Sequence, residues 1–142
     1  MLNKRLNQAE FAKLIPHAGN MILIDQVEDW GDSYIVCSTL SHQSINNPLR
    51  LNGSLSSIHL IEYGAQSMAI HGGLLTGKAS PGFLAAARAV HFNIDCLDQV
   101  QSQITITARA ELKIENGAVY KFHITDEMNT LLVDARATVI NI

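Results

Sequence analysis

The chain has 142 residues, of which 47% are hydrophobic and 16% charged, with two cysteines and a formal net charge of −3. This length and composition suit one globular domain, predicted over residues 1–142, and exclude a disordered chain. The sequence contains no Lys/Arg block, no signal-peptide pattern and no run of about 18 apolar residues. We therefore expect no nucleic-acid partner, no membrane insertion and a cytoplasmic location.

The first third of the chain predicts a short helix, a hairpin and a loop. Apolar residues at helical spacing predict a helix over 8–15, which Pro16 ends because proline cannot continue an α-helix. The β-branched and apolar runs at 21–30 and 33–40 predict two strands that pair as a hairpin. The polar stretch 42–53 contains a proline and a glycine and is predicted to be a loop.

A long central helix is predicted next. Ser54 is expected to cap its first turn, and Gly72-Gly73 to mark its end. The helix is apolar nearly all round, as expected of a helix enclosed by a sheet. Its apolar residues recur with a period near 3.6, at positions 55, 58, 61, 65, 68 and 69.

Strand patterns fill the second half of the chain. Strands are predicted over 82–92, 104–112, 118–125 and 131–140, and Asn116-Gly117 is a strong hairpin signal between the second and third of them. The element order is therefore helix, two strands, long helix, four strands. It predicts an α+β fold in which an antiparallel sheet wraps around one long central helix.

Polar residues interrupt the central helix along one stripe. His59, Glu62 and Gln66 are three and four residues apart, so they lie on one face of the helix. A carboxylate buried there would have a raised pKa and could exchange a proton near neutrality. The alternative is a structural role, in which Glu62 hydrogen-bonds to the backbone or to Gln66.

Metal and cofactor sites are not predicted. The six histidines do not stand at spacings that place two imidazoles on one ion, and the cysteines form no CxxC pair. His71, His91 and His123 are therefore interpreted as packed or surface residues. Cys37 and Cys96 are interpreted as ordinary thiols in a reducing compartment.

Two stretches of the chain resemble the 3-hydroxyacyl-acyl carrier protein dehydratase family. Residues 15–27, IPHAGNMILIDQV, resemble its N-terminal "LPH...LLVDRV" signature, and Glu62 with Ala65-Gln66 resembles the "ExxAQ" of its central helix. The resemblance implies the hotdog fold, which has the same order of elements. Residues 53–55, 61–66 and 71–73 are also similar to the dehydratase-like branch associated with aryl polyene lipid biosynthesis.

The resemblance implies removal of water from a 3-hydroxyacyl thioester in fatty-acid or polyene-type lipid biosynthesis. In that family a histidine takes the proton beside the carbonyl, a carboxylate protonates the departing hydroxyl, and amides at the helix start polarise the carbonyl. Glu62 falls on the acid. Gly53, Ser54 and Leu55 are expected to supply the amides, with Gln66 beside the substrate.

The implied partners are an acyl carrier protein or coenzyme A thioester and a second copy of the chain. Hotdog relatives join their sheets as dimers and place the active site between subunits, so at least a homodimer is expected. The resemblance implies no cofactor and no metal.

The chain departs from the family at the histidine. The family position, fourteen residues before the acid, is Pro48, and Asn47 stands where the polyene-type branch tends to carry histidine. Asn47 cannot accept a proton at neutral pH and is expected to contact substrate instead. His42 and His59 are ranked equally as replacement bases, while His17 matches a family position usually regarded as structural.

Three functions remain open on the sequence. The first is a dehydratase with Glu62 as acid. The second is a hotdog thioesterase in which Glu62 activates water without a histidine, and the third is a non-catalytic acyl-thioester-binding partner, suggested by Asn47. An imidazole within roughly 3 to 6 Å of the Glu62 carboxylate would favour dehydration.

Overall fold

The computed structural model describes residues 4–17, 19–79 and 82–141. Short 3-10 turns supplement its two α-helices and seven strands in these ranges. The predicted helix over 8–15 is confirmed as α1 followed by a 3-10 turn. The bounds are β1 (Leu6–Asn7), α1 (Gln8–Phe11), β2 (Gln26–Trp30), β3 (Tyr34–Thr39), α2 (Leu60–Thr76), β4 (Gly82–Phe92), β5 (Ile104–Ile114), β6 (Gly117–Thr125) and β7 (Leu131–Asn141).

All strand pairs of the sheet are antiparallel, in the order β1-β2-β3-β5-β6-β7-β4. The chain thus leaves β4 at one edge, where it pairs with the last strand rather than with the next one. The predicted hairpins β2–β3 and β5–β6 are confirmed. The sheet curves around α2, as the predicted α+β hotdog arrangement requires.

The central helix begins and ends later than the sequence predicts. Ser54 lies in a tight turn and pairs with Leu51, so it does not cap the helix. Ser56 accepts the capping hydrogen bond of the 3-10 turn Ser57–His59, which leads into α2. The helix runs through Gly72 and Gly73 and ends at Gly77, whose φ of 79° is the left-handed conformation favoured by glycine.

Close contact between α2 and the sheet depends on Gly64. A methyl group at Gly64 would lie 2.6 Å from the Phe122 ring, which is fully buried on β6. A methyl group at Gly72, on the same helix, would meet nothing within 4 Å. The two glycines therefore differ in packing while sharing the helical backbone.

Gly64→Ala is expected to lower the free energy of unfolding by about 1–3 kcal/mol, because the buried ring must move to admit the methyl group. Gly72→Ala is the matched control and is expected to raise it by up to about 1 kcal/mol, since alanine favours the helix. Urea unfolding of both variants checks this. Equal effects at the two positions would contradict the packing described here.

Candidate functional site

Glu62 lies where two cavities meet. It is in the first turn of α2, its side chain is 41% exposed, and it lines both a cavity of about 430 Å³ and one of about 340 Å³. We call these the long cavity and the short cavity. The full burial expected of the carboxylate is therefore not reached within one chain.

The long cavity lies between α2 and the inner face of the sheet. Its helix wall runs from Glu62 to Thr76, which at 1.5 Å per residue is about 21 Å. Its other wall comes from β4, β5, β6 and β7. The cavity is thus a channel beside the helix, with Glu62 at one end. Its apolar lining includes Ala65, Met68, Ala69, Leu75, Leu84, Ile114 and Val139.

His17 is the imidazole that the structure places against Glu62. Its Nε2 atom is 3.4 Å from the Glu62 Oε1 atom, and both residues line the long cavity. The Nδ1 atom of His17 is buried and has no hydrogen-bond partner among the described residues. The 3-10 turn before His17 ends at Leu14, and Pro16 directly precedes His17. His17 therefore approaches α2 from a separate segment of the chain.

Gln66 ties this segment to the helix. Its side-chain oxygen accepts the Leu23 N–H at 2.8 Å, and its Nε2 donates to the Met21 carbonyl at 2.7 Å. A longer contact of 3.4 Å joins the same nitrogen to Glu62. Gln66 therefore holds the backbone of Met21 and Leu23 against the helix, and its contact with substrate stays a prediction.

The two histidines predicted as bases occupy different surroundings. His59 lines the short cavity together with Glu62, so it remains near the carboxylate. His42 is fully buried, its Nε2 donates to the Val100 carbonyl, and it is not among the described residues that line either cavity. The geometry therefore gives no support to His42 as the base.

Asn47 has a structural set of partners. Its Nδ2 donates to the Ser41 carbonyl at 3.0 Å and to the Tyr63 hydroxyl at 3.1 Å, and its Oδ1 accepts the Leu49 N–H. It is buried and stands outside the described lining of both cavities. Asn47 therefore contacts its own loop and Tyr63, and its contact with substrate stays a prediction.

The amides predicted at 53–55 as carbonyl donors are largely engaged. The Ser54 N–H donates to the Leu51 carbonyl at 3.0 Å, and the Leu55 N–H donates to the Asp98 carboxylate at 2.9 Å. The helix begins after this segment and not at it. The start of the helix that borders the cavities is therefore Ser57–Glu62.

The Asp98 carboxylate fixes this loop through hydrogen bonds. The Cys96 thiol, the Arg50 guanidinium and the Leu55 N–H donate to its carboxylate and hold the pKa of Asp98 well below its usual range. Arg50 also donates to the His42 carbonyl. Cys96 is thus hydrogen-bonded within this loop, and it is only partly buried, whereas Cys37 is buried.

A buried dyad lies beside the long cavity. The His71 Nε2 donates to the Gly31 carbonyl at 2.8 Å, so its Nδ1 accepts the hydrogen bond from the Tyr120 hydroxyl at 2.6 Å. Burial raises the pKa of Tyr120 to about 12 and lowers the pKa of His71. Both groups are therefore neutral near pH 7.

The buried histidines predict a loss of stability in mild acid. Burial lowers the pKa of His42 and of His71 below the usual value of about 6.5. As the pH falls through that value, the two imidazoles are protonated in the unfolded chain and stay neutral in the folded chain. The free energy of unfolding should fall between pH 7.5 and 5.0, by at most about 1.4 kcal/mol per pH unit per histidine.

Urea unfolding at the two pH values measures this effect. His42→Gln, whose amide can still donate to the Val100 carbonyl, should show a smaller fall than the unmodified chain. Equal or greater stability at pH 5.0 would contradict the burial of neutral imidazoles.

In the part of the chain that the structure describes, His, Cys, Asp and Glu side chains form no cluster of three or more suited to a metal ion. Within the same ranges, none of the helices has the length and apolar character needed to cross a bilayer.

An antiparallel sheet around one long helix, with a carboxylate and an imidazole at the end of a channel between them, defines a hotdog protein of the dehydratase-like or thioesterase-like class. Residues 9–142 match the family described as ApeP-like, ApeP dehydratase. The chain belongs to this ApeP-like dehydratase family, which confirms the family expected from the sequence motifs. No curated protein matches the chain.

Solved structures support the fold. The dehydratase heterocomplex ApeI:P from Xenorhabdus doucetiae contains a chain with 24% identity and a TM-score of 0.81, covering 93% of this chain and 90% of that one. A hypothetical thioesterase from Streptococcus pneumoniae TIGR4, solved with coenzyme A, is similar at 16% identity and a TM-score of 0.58, covering 82% and 84%.

The Escherichia coli PaaI protein from the phenylacetic acid degradation operon is similar at 13% identity and a TM-score of 0.60, with 80% of each chain covered. At these identities the likeness extends to the fold alone.

Proposed function

We propose that this protein removes water from a 3-hydroxyacyl thioester, with His17 as base and Glu62 as acid. The observation that carries the proposal is the 3.4 Å distance from the His17 Nε2 to the Glu62 Oε1 at the end of the long cavity. This distance is slightly longer than a direct hydrogen bond and allows a proton to pass between the two groups after a small movement or through one water. It falls within the range of roughly 3 to 6 Å that favours dehydration and so supports the proposal.

The two side chains account for both proton transfers of the reaction, one accepted and one donated. The His17 imidazole takes the proton from the carbon beside the thioester carbonyl, and the protonated Glu62 carboxyl gives its proton to the hydroxyl, which leaves as water. The site is then left with an imidazolium and a carboxylate. One proton transfer between the two side chains, which already touch, restores the starting state.

The long cavity suits an acyl chain. It extends about 21 Å along α2 from the carboxylate, and most of its helix wall is Ala, Met, Gly and Leu. We propose that the acyl tail lies in it and that the thioester enters beside Glu62 from an acyl carrier protein or coenzyme A. The lining is polar at His17, Glu62 and Gln66, and also contains Asp32, Lys113, Glu115 and Asn141. A largely apolar pocket with a few polar groups is typical of ligand sites.

A second hotdog chain is proposed to complete the site at β4. The five consecutive residues 85–89 are exposed on this edge strand, four of them alanines that permit close approach. Leu84, from the same strand, lines the long cavity, so a chain paired with β4 would close its open side. We expect a homodimer in light scattering. A related subunit, as in the heterocomplex ApeI:P, is the alternative.

One observation supports each of two other functions. Hydrolysis of the thioester is favoured by the 41% exposure of the Glu62 side chain, because water can reach the carboxylate. A non-catalytic role as a partner subunit is favoured by Asn47, which stands at the position expected for the base. Its side chain is hydrogen-bonded to the Ser41 carbonyl and the Tyr63 hydroxyl.

Hydration of a 2-enoyl thioester, the reverse reaction, tests the proposal. The purified protein should consume the enoyl absorbance of crotonyl-coenzyme A or a longer homologue. Release of free thiol without hydration would favour the thioesterase. Binding of the acyl chain with neither reaction, at any chain length, would favour the non-catalytic subunit.

A further inference from the structure

Four basic side chains stand opposite one another across four neighbouring strands. Arg109 on β5 pairs in register with Lys121 on β6, Lys121 with Arg136 on β7, and Arg136 with Arg88 on β4. All four residues are exposed. We call this set the cationic row.

The cationic row lies on the outer face of the sheet, away from both cavities. Side chains alternate between the two faces of a strand, and the neighbours of the row along β5, β6 and β7 point into the core. The row therefore does not belong to the site around Glu62. These neighbours, all buried, include Ala108, Phe122, Ala135 and Ala137.

The arrangement is unfavourable for the isolated fold. Like charges directly opposite one another in a sheet lower stability. Among the described residues, Glu111 is the carboxylate that pairs with the row, at 3.2 Å from the Arg136 Nε, and the Arg109 guanidinium lies 5.6 Å from the centre of the Tyr34 ring. The row thus keeps most of its positive charge although the chain as a whole carries −3.

The neighbouring residues do not cancel this charge. Asp134 faces His91, with 3.0 Å between its Oδ1 and the His91 Nδ1. Burial lowers the pKa of His123, and Asp134 opposes this change while Lys121 and Arg109 add to it. The outer face is therefore a positive stripe with a carboxylate on either side.

The size of the stripe fits one kind of partner. Neighbouring strands are about 4.8 Å apart, so the row is about 14 Å long, close to the length of three turns of an α-helix. A second copy of the chain laid face to face on the row is unsuited, because row would face row. The pairing expected at β4 is edge to edge and leaves this face of the sheet uncovered. The flanking Glu111 and Asp134 also repel a continuous anionic surface such as nucleic acid or a membrane.

We propose that the cationic row docks an acidic helix of a partner protein. A helix with carboxylates on one face can meet the row and leave its other faces neutral beside Glu111 and Asp134. This proposal does not depend on the reaction at Glu62.

The test uses two helical peptides of about 20 residues, one with glutamates along one face and the other with glutamines at the same positions. The full-length protein, labelled for NMR, is titrated with each peptide at low and high salt. The glutamate peptide should bind at low salt and shift the signals of β5, β6, β7 and β4 around the row. The glutamine peptide should bind at least about tenfold more weakly.

Lys121→Glu should weaken binding of the glutamate peptide by about tenfold or more, since it reverses the charge at the centre of the row. Lys78→Glu is the matched control, with the same change in charge at an exposed position at the end of α2, and should bind nearly as the unmodified chain does. Lys121→Glu should also keep or raise the thermal midpoint, because it relieves repulsion from Arg109 and Arg136.

Equal weakening by both variants would overturn the proposal, because it would mean that net charge alone attracts the peptide. Equal binding of the two peptides would do the same. Anionic vesicles of phosphatidylserine and a short DNA duplex are the remaining probes, and row-dependent binding of either in preference to the peptide would assign the row to a different partner.

Discussion

Replacing Glu62 with glutamine is expected to lower kcat for dehydration of a 3-hydroxyacyl thioester by about 10²- to 10⁴-fold. Glutamine keeps the size of the side chain and the contact with Gln66 but cannot donate a carboxyl proton to the leaving hydroxyl. The fold should be unaffected, because the side chain is 41% exposed. Steady-state rates and a thermal melt of the same preparation measure both effects.

Glu115→Gln is the matched control for this variant. Glu115 also lines the long cavity, but it lies just beyond the end of β5 and is not among the described residues around the His17 contact. Its replacement should change kcat by less than about threefold, a change typical of residues that take no part in the chemistry. A loss as large as that of Glu62→Gln would mean that the cavity needs negative charge in general and no particular acid.

His17→Asn is the second large effect, with an expected loss of about 10²-fold or more in kcat. Asparagine can occupy the space of the imidazole but cannot take the substrate proton. Stability should change little, because the Nδ1 of His17 has no partner among the described residues and the Nε2 contact is partly exposed. The measurement is the rate of dehydration at saturating substrate.

His59→Asn distinguishes the two histidines near Glu62. His59 lines the short cavity, so its replacement should leave kcat within about threefold if His17 is the base. The double variant of His17 and Glu62 should be little slower than the slower single variant, because residues that act as one unit are not additive. A large loss for His59→Asn alone would transfer the role to that residue.

The regular elements could be predicted because their signals are local. Period-two alternation placed β5 and β7, the Asn116-Gly117 turn placed the hairpin, and the 3.6-residue period placed α2. The two-residue strand β1 was missed because so short a segment carries no period. The position of β4 at the sheet edge was not predictable either, since it pairs with a strand about fifty residues later.

The predicted start of α2 was wrong because a contact between residues distant in sequence determines where the helix begins. Ser54 follows a glycine and precedes the apolar period, which is the usual signal for a cap. In the fold, the Asp98 carboxylate accepts a hydrogen bond from the neighbouring Leu55 N–H. The chain then turns once more before Ser56 caps the helix. A contact more than forty residues away therefore decides which serine is the cap.

The candidate site was predictable in part. Glu62 stood out as a carboxylate on an apolar helix, and the structure places it at the end of a long cavity. His17 was assigned a structural role because it matches a family position usually regarded as structural. No local pattern connects it to Glu62, which lies 45 residues along the chain. The available signal was its place directly after Pro16, where the helix stops and the chain can approach α2.

The identity of the product formed from a 3-hydroxyacyl thioester tests the central claim most directly. Mass spectrometry after incubation with the purified protein should show a thioester lighter by one water, formed by the unmodified chain and not by Glu62→Gln or His17→Asn. Free acid and free thiol from an intact 3-hydroxyacyl group, or loss of water that persists in both variants, would contradict the His17–Glu62 pair as a dehydration site.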